Sequence, residues 1–328
     1  MQPFILHHAK DLSEASGALH NNIGAKSIGG GTNLLDLMKM YVETPSELID
    51  LSDLPLRSIK ELSNGGVSVG ALVSNSELAY HPLIVQKYPV LSQAILSGAS
   101  AQLRNMATTG GNILQRTRCP YFFNTSFPCN KRMPGSGCPA IKGFNRSHAI
   151  LGTSDHCIAT HPSDMCVALA ALDAKILLKG NNGERSVMFT DFHLLPGSNP
   201  EKESVIQHDE IITGIELPNI PYATSSNYLK VRDRASYEFA LTSSAVAMDI
   251  ANGRIKEARI ALGGVGTKPW RSKEAEQILA GAENNIHSYN KAADAALASA
   301  HTFKYNAFKI ELAKRTLIRS LKITGGLS

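Results

Sequence analysis

A chain of 328 residues with 43% hydrophobic content buries a substantial core, and its length predicts two domains. The formal net charge of +5, with no Lys or Arg block interleaved with aromatics, gives no support to nucleic-acid binding. No run approaches the roughly 18 apolar residues of a membrane span, and the first fifteen residues lack the basic-then-apolar order of a secretory signal, so neither is expected.

In chain order, Lys26 to Asp50 reads as strand, glycine turn, helix and strand, with Gly29-Gly30-Gly31-Thr32-Asn33 at the helix entrance. Glycine lets backbone amides approach an anion, and Thr32 and Asn33 add side-chain donors. Ile59–Leu62 and Val67–Val73 flank Ser63-Asn64-Gly65-Gly66, a hairpin signal. Pro89–Ser97 has helical spacing and leads to a small-residue loop, Thr108-Thr109-Gly110-Gly111-Asn112. Ser163 is read as the N-cap of a helix running to Leu172, with Asp164 in its first turn. Lys175–Leu178 and Ile211–Leu217 read as strands. A second domain is expected to begin near Pro221, with strand Tyr228–Val231, a hairpin of Ala245–Ile250 and Ile255–Leu262 about Asn252-Gly253, and helices Ser272–Ala280, Asn290–Ala300 and Lys309–Lys322.

Four of the five cysteines, Cys119, Cys129, Cys138 and Cys157, fall within 39 residues. That clustering favours metal or cluster binding over a disulfide framework. The segment is rich in Pro and Gly, as befits a loop wrapping an inorganic core. Arg116, Arg118, Lys131, Arg132, Lys142 and Arg146 face one acid, Asp155, a balance suited to a negatively charged thiolate centre. The spacing matches neither ferredoxin runs nor zinc knuckles, so 4Fe-4S, 2Fe-2S and zinc all remain open. His148, His156 or His161 can substitute for a cysteine in principle. Tyr121, Phe122 and Phe123 are read as shields of the centre or, equally well, as anchors of the loop, and Cys166, in an apolar helical run, as a small packed hydrophobe.

Ile28-Gly29-Gly30-Gly31-Thr32-Asn33, Thr108-Thr109-Gly110-Gly111-Asn112, His161-Pro162-Ser163-Asp164 and Gly263-Gly264-Val265 with Pro269 and Arg271 together resemble the motifs of the FAD-binding subunits of molybdenum hydroxylases. That family includes xanthine and carbon monoxide dehydrogenase medium subunits. Within it the resemblance is greatest to the flavin and iron-sulfur subunit of bacterial periplasmic aldehyde oxidoreductases, a branch that also carries cysteines in an insertion here.

The resemblance implies an α+β fold: a vanillyl-alcohol-oxidase (PCMH) type FAD-binding domain of two subdomains over residues 1–221, with a cluster-binding insertion at about 115–160, and a smaller C-terminal α+β domain with an antiparallel sheet over 222–328. It implies that Lys26, Ser27, Ile28, Gly29, Gly30, Gly31, Thr32, Asn33 and Leu34 hold FAD, with Thr108, Thr109, Gly111 and Asn112 on the other wall. Asp164 would accept from a ribosyl or ribityl hydroxyl and Lys230 would lie near the flavin ring. Blander readings make Asp164 a first-turn helix acid and Lys230 a solvated charge. Cys119, Cys129, Cys138 and Cys157 would bind a 4Fe-4S cluster.

Function, by the same resemblance, is electron transfer within a molybdenum-dependent aldehyde oxidoreductase. The partners are a small 2Fe-2S subunit and a large molybdopterin subunit, with an external electron acceptor, and no residue of this chain performs the oxidation. Location is expected in the periplasm by co-export with a signal-bearing partner, the alternative being cytoplasmic. The rival reading is a stand-alone FAD-dependent reductase like the one that makes a cell-wall precursor.

Overall fold

The computed structural model describes residues 1–327. Strands β1 (Ile5–His8), β2 (Ala25–Ile28) and β3 (Glu47–Asp50) form a parallel sheet in the order β1-β3-β2. Parallel strands need crossover connections, and the helix Leu12–Asn21 supplies the one from β1 to β2, on either side of β3. Asp11 caps it by accepting from the Glu14 amide, and Ala15, Ser16 and Leu19 form its buried face.

Five antiparallel strands follow, β4 (Ile59–Glu61), β5 (Val67–Gly70), β6 (Lys175–Gly180), β7 (Gly183–Met188) and β8 (Ile211–Leu217), in the order β4-β5-β8-β6-β7. Their apolar face packs on the helices Pro89–Ser97 and Asp164–Ala171. All eight residues of the latter helix are buried, because it lies between this sheet and the C-terminal one, whose Ala245 and Ala261 join the same core.

The C-terminal sheet, in the order β12-β11-β10-β9, comprises β9 (Ser226–Val231), β10 (Thr242–Ala251), β11 (Arg254–Gly263) and β12 (Trp270–Arg271). Asn252 and Gly253, at φ of 53° and 72°, make the β10–β11 turn. Helices Lys273–Leu279, Ile286–Ala296 and Phe308–Thr324 cover the sheet. Ile150 and Leu151, at the end of the cysteine segment, are buried in this C-terminal core.

Several expectations are revised. Residues 109–113 form a short helix rather than a loop, because the Thr108 hydroxyl caps it by accepting from the Gly111 amide. The cysteine segment contains a helical turn at Pro120–Phe123 and a 3-10 turn at Pro139–Ile141, each opened by a proline that has no amide to satisfy. The helix read as Asn290–Ala300 spans Ile286–Ala296, because Asn285 caps a polar first turn and starts it early. Strands β1 and β7 and the first helix were not foreseen. β7 is an exposed edge strand, Gly-Glu-Arg-Ser-Val-Met, with no apolar alternation to mark it.

Candidate functional site

The glycine turn leaves β2 against a second loop. A Cβ on Gly30 would overlap the Met106 carbonyl oxygen, and one on Gly29 would press on the Thr108 hydroxyl at 3.0 Å. Gly31 takes φ +69°, the left-handed region. The amides of Gly30, Gly31, Thr32 and Asn33 donate to no protein acceptor, so four N–H groups line one concavity. The second loop differs: Thr109, Gly110, Gly111 and Asn112 all donate their amides within the protein. It is a wall, and the first loop is the donor surface.

Two cavities meet at Thr32, Asn33 and Gly111. One, of about 340 Å³, is lined by all of residues 26–34 together with Thr108, Gly111 and the apolar Leu19, Leu51 and Leu72. The other, of about 450 Å³, holds Asn112, Asp164 and Lys230. Two chambers joined at an amide-rich waist suit a dinucleotide with an aromatic group at each end and a pyrophosphate between. Thr109 lines neither chamber. Its side chain is fully buried and its hydroxyl donates to the Val73 carbonyl at 3.0 Å, so packing holds it away from the groove.

Asp164 opens its helix at the floor of the second chamber. Its Oδ1 accepts from the Tyr228 hydroxyl at 2.5 Å and its Oδ2 from Lys230 Nζ at 2.8 Å. Lys230 Nζ also donates to the Ser97 carbonyl, and its side chain is only 4% exposed, so it is not a solvated charge. Burial and the neighbouring carboxylate hold the Tyr228 phenol well above its usual range. Each Asp164 oxygen keeps a second lone pair for a ligand hydroxyl. Sequence reasoning missed Tyr228 as the third member, and missed Arg118, Tyr237 and Phe239, which line the same chamber. Tyr237 sits at φ 53°, and the Arg118 guanidinium lies 5.2 Å from the Phe239 ring centre. Burial pushes Arg118 down to about 10. The signal was an aromatic pair in a charged loop directly after β9.

Cys119, Cys129, Cys138 and Cys157 are free thiols that line one enclosed space. The open volume between them is small, about 10 Å³. Burial raises Cys119 to about 12 and Cys157 to about 11, and also raises Cys138, so these thiols carry their protons until a metal displaces them. One backbone amide reaches a sulfur directly, that of Ala159 at 3.5 Å from Cys157 Sγ. Phe122 is buried, with the Arg116 guanidinium 4.6 Å from its ring centre. His156 lines the space, and His148 Nε2 lies 3.2 Å from Cys119 Sγ. Ion pairs join this segment to Glu43 and Glu203, through Arg116 to both and Lys131 to Glu203 at 2.7 Å, and one hydrogen bond ties it to the glycine loop, the Arg116 amide donating to Asn33 Oδ1 at 2.9 Å.

Cys166 stands apart in the buried helix, where its ligand-type atom lies within 4.8 Å of those of His161 and His193. His161 Nδ1 accepts from the Ser163 amide, which places the ring proton on Nε2, and His193 Nε2 faces the Ile113 carbonyl as donor. Burial lowers His193 to about 4 and His161 well below its usual value. This arrangement leaves only one imidazole lone pair, on His193 Nδ1, so the trio is a packed polar contact and not a metal centre.

Residues 2–220 match the family described as the FAD binding domain in molybdopterin dehydrogenase, and residues 227–322 match the CO dehydrogenase flavoprotein C-terminal domain. The chain is 48% identical to the aldehyde oxidoreductase FAD-binding subunit PaoB of Escherichia coli K12, over 97% of this chain and 96% of that protein. It is 29% identical to the glyceraldehyde dehydrogenase medium chain of Sulfolobus acidocaldarius, over 84% of this chain and 81% of the other. Among solved structures it superposes on carbon monoxide dehydrogenase from Hydrogenophaga pseudoflava with a TM-score of 0.78 and 25% identity, covering 99% of both chains.

Proposed function

The chain belongs to the FAD-binding medium subunits of the molybdenum hydroxylase family, and from that premise we propose that it is the electron-transfer subunit of an aldehyde oxidoreductase and carries a 4Fe-4S cluster beside its FAD. FAD binds in the two-chambered groove, with substrate oxidation assigned to a molybdopterin subunit. Bound flavin supplies the exchange between one-electron and two-electron carriers. The protein's own contribution is position and charge. The free amides of residues 30–33 face the pyrophosphate, and Asp164 and Lys230 set the polarity of the far chamber.

One observation supports the cluster: four thiols from an insertion converge on a single space. Among the described residues no three of these sulfurs lie within 4.8 Å of one another. A lone tetrahedral zinc, with Zn–S near 2.3 Å, draws its sulfurs to about 3.8 Å. The wider spread favours a polynuclear centre. On this reading a small 2Fe-2S subunit and a large molybdopterin subunit deliver the electrons, an external acceptor removes them, and the assembly works in the periplasm after export on a partner's signal. The stand-alone reductase reading leaves the C-terminal match unexplained.

Anaerobic purification with counts of iron, sulfide, zinc and flavin, followed by electron paramagnetic resonance of the reduced protein, tests the reading. About four irons per flavin, lost on serine replacement at Cys119, Cys129, Cys138 or Cys157, is the expected result. Zinc, or no metal, in a flavin-replete protein overturns the cluster.

A further inference from the structure

We propose that His148 is a positioning residue of the cluster, donating a hydrogen bond from Nε2 to the Cys119 sulfur and thereby raising the reduction potential, and that the C-terminal domain anchors the backbone from which the ring extends. This deepens the cluster reading above and rests on it.

The geometry is specific to one ligand. His148 Nε2 lies 3.2 Å from Cys119 Sγ, the ring is 2% exposed, and Nδ1 meets no other polar atom. A thiolate bound to iron has no proton to give, so at this distance the imidazole must be the donor. Cys119 therefore receives a side-chain N–H, the contact that sets it apart from the other three cysteines. Hydrogen bonds to ligand sulfur draw charge off the thiolate and favour the more negative, reduced state of the centre.

The backbone that carries the ring is held from the other domain. The His148 carbonyl accepts from Lys309 Nζ at 3.0 Å and from Asn306 Nδ2 at 3.4 Å. Lys309, fully buried, donates as well to the Ser147 carbonyl at 3.0 Å and the Gly264 carbonyl at 2.7 Å. One ammonium at the start of the last helix thus ties the cysteine segment to the end of β11. The Tyr121 ring, 6.3 Å from the imidazole between centroids, closes the opposite side.

The test is a redox titration of the full chain, purified anaerobically, in which dithionite adds one electron to the oxidised cluster and no bond is made or broken. His148→Phe fills the space without an N–H, and His148→Gln restores a donor. Flavin and iron content should match the unsubstituted protein, showing that fold and cluster survive. The expected result for His148→Phe is a reduced-to-oxidised ratio about tenfold lower at a fixed poise, which is about 59 mV for a one-electron couple. His148→Gln should recover part of it, and Lys309→Met should shift the potential in the same direction as His148→Phe. An unchanged midpoint in His148→Phe with full iron overturns the proposal. So does selective loss of iron with flavin retained, which would make His148 a ligand. Absence of iron from the unsubstituted chain is a separate result, and it removes the cluster reading itself.

Discussion

Lys230 Nζ lies 2.8 Å from Asp164 Oδ2, a charge pair whose side chains are only 4% and 8% exposed, at the floor of the groove's second chamber. Breaking such a pair from one side leaves a buried charge without its partner, at a cost of about 3–5 kcal/mol. Asp164→Ala should therefore lower the melting temperature of the flavin-free protein, and added FAD should restore little of it. The double replacement Asp164→Asn with Lys230→Met removes both charges and should regain most of the stability while flavin affinity stays low. Calorimetry with and without FAD separates the two effects. Equal flavin affinity in the double variant and the parent would deny the pair any part in binding.

Gly30 tests the waist of the groove independently. A Cβ there forces the Met106 carbonyl away, so Gly30→Ala should part the two loops and cost about 1–3 kcal/mol, in the range of overpacked sites. Flavin content of the purified variant should fall severely. Gly17, in the first helix with open space around its Cβ position, is the control. Its replacement by Ala should stabilise by up to about 1 kcal/mol without touching flavin content. Urea unfolding and the ratio of flavin to protein absorbance give both numbers.

How far the sequence could be read follows from the range of each signal. The turns at Gly31 and Asn252-Gly253 were legible because positive φ restricts residue choice locally. The helix at Ser163 was legible because a cap and an apolar run are contiguous. Strand β7 was not, since its charged exposed face matches neither period, and only pairing with β6 makes it a strand. In the site, Asp164 and Lys230 were each visible, but their contact with each other and with Tyr228 joins residues more than sixty positions apart, which no local pattern encodes. The same holds for His148 and Lys309, and for Glu203 beside Arg116 and Lys131.

Glu203 carries a prediction about acid. The Arg116 and Lys131 charges hold its carboxyl below the usual value of 4.5 against the opposing effect of burial. An acid with a depressed folded value binds fewer protons than in the unfolded chain, so its stabilisation is complete above about 4.5 and is lost as pH falls through the folded value. Glu203→Gln should cost about 1–3 kcal/mol at pH 7, where a partly exposed pair is discounted from the fully buried case. The variant and parent should converge once the pH has fallen below the folded value. Denaturant midpoints across that range check it, and parallel curves would exclude the carboxylate as the source.

Cys166 separates packing from ligation. Its thiol lies in a helix buried on every side, and burial, its first cause, raises it to about 12. Its thiol donates weakly to the Asn112 carbonyl at 3.9 Å. Cys166→Ala removes one sulfur's worth of packing and should cost about 1–2 kcal/mol, on the scale of small core truncations. Iron and flavin content should stay at parent levels. Cys157→Ser should do the reverse, losing iron although its hydroxyl occupies nearly the same volume, because the expected centre requires a thiolate. The pair of variants makes the outcome specific: iron lost from Cys166→Ala would move the ligand set toward His161 and His193, whereas iron kept in Cys157→Ser would take that cysteine out of it.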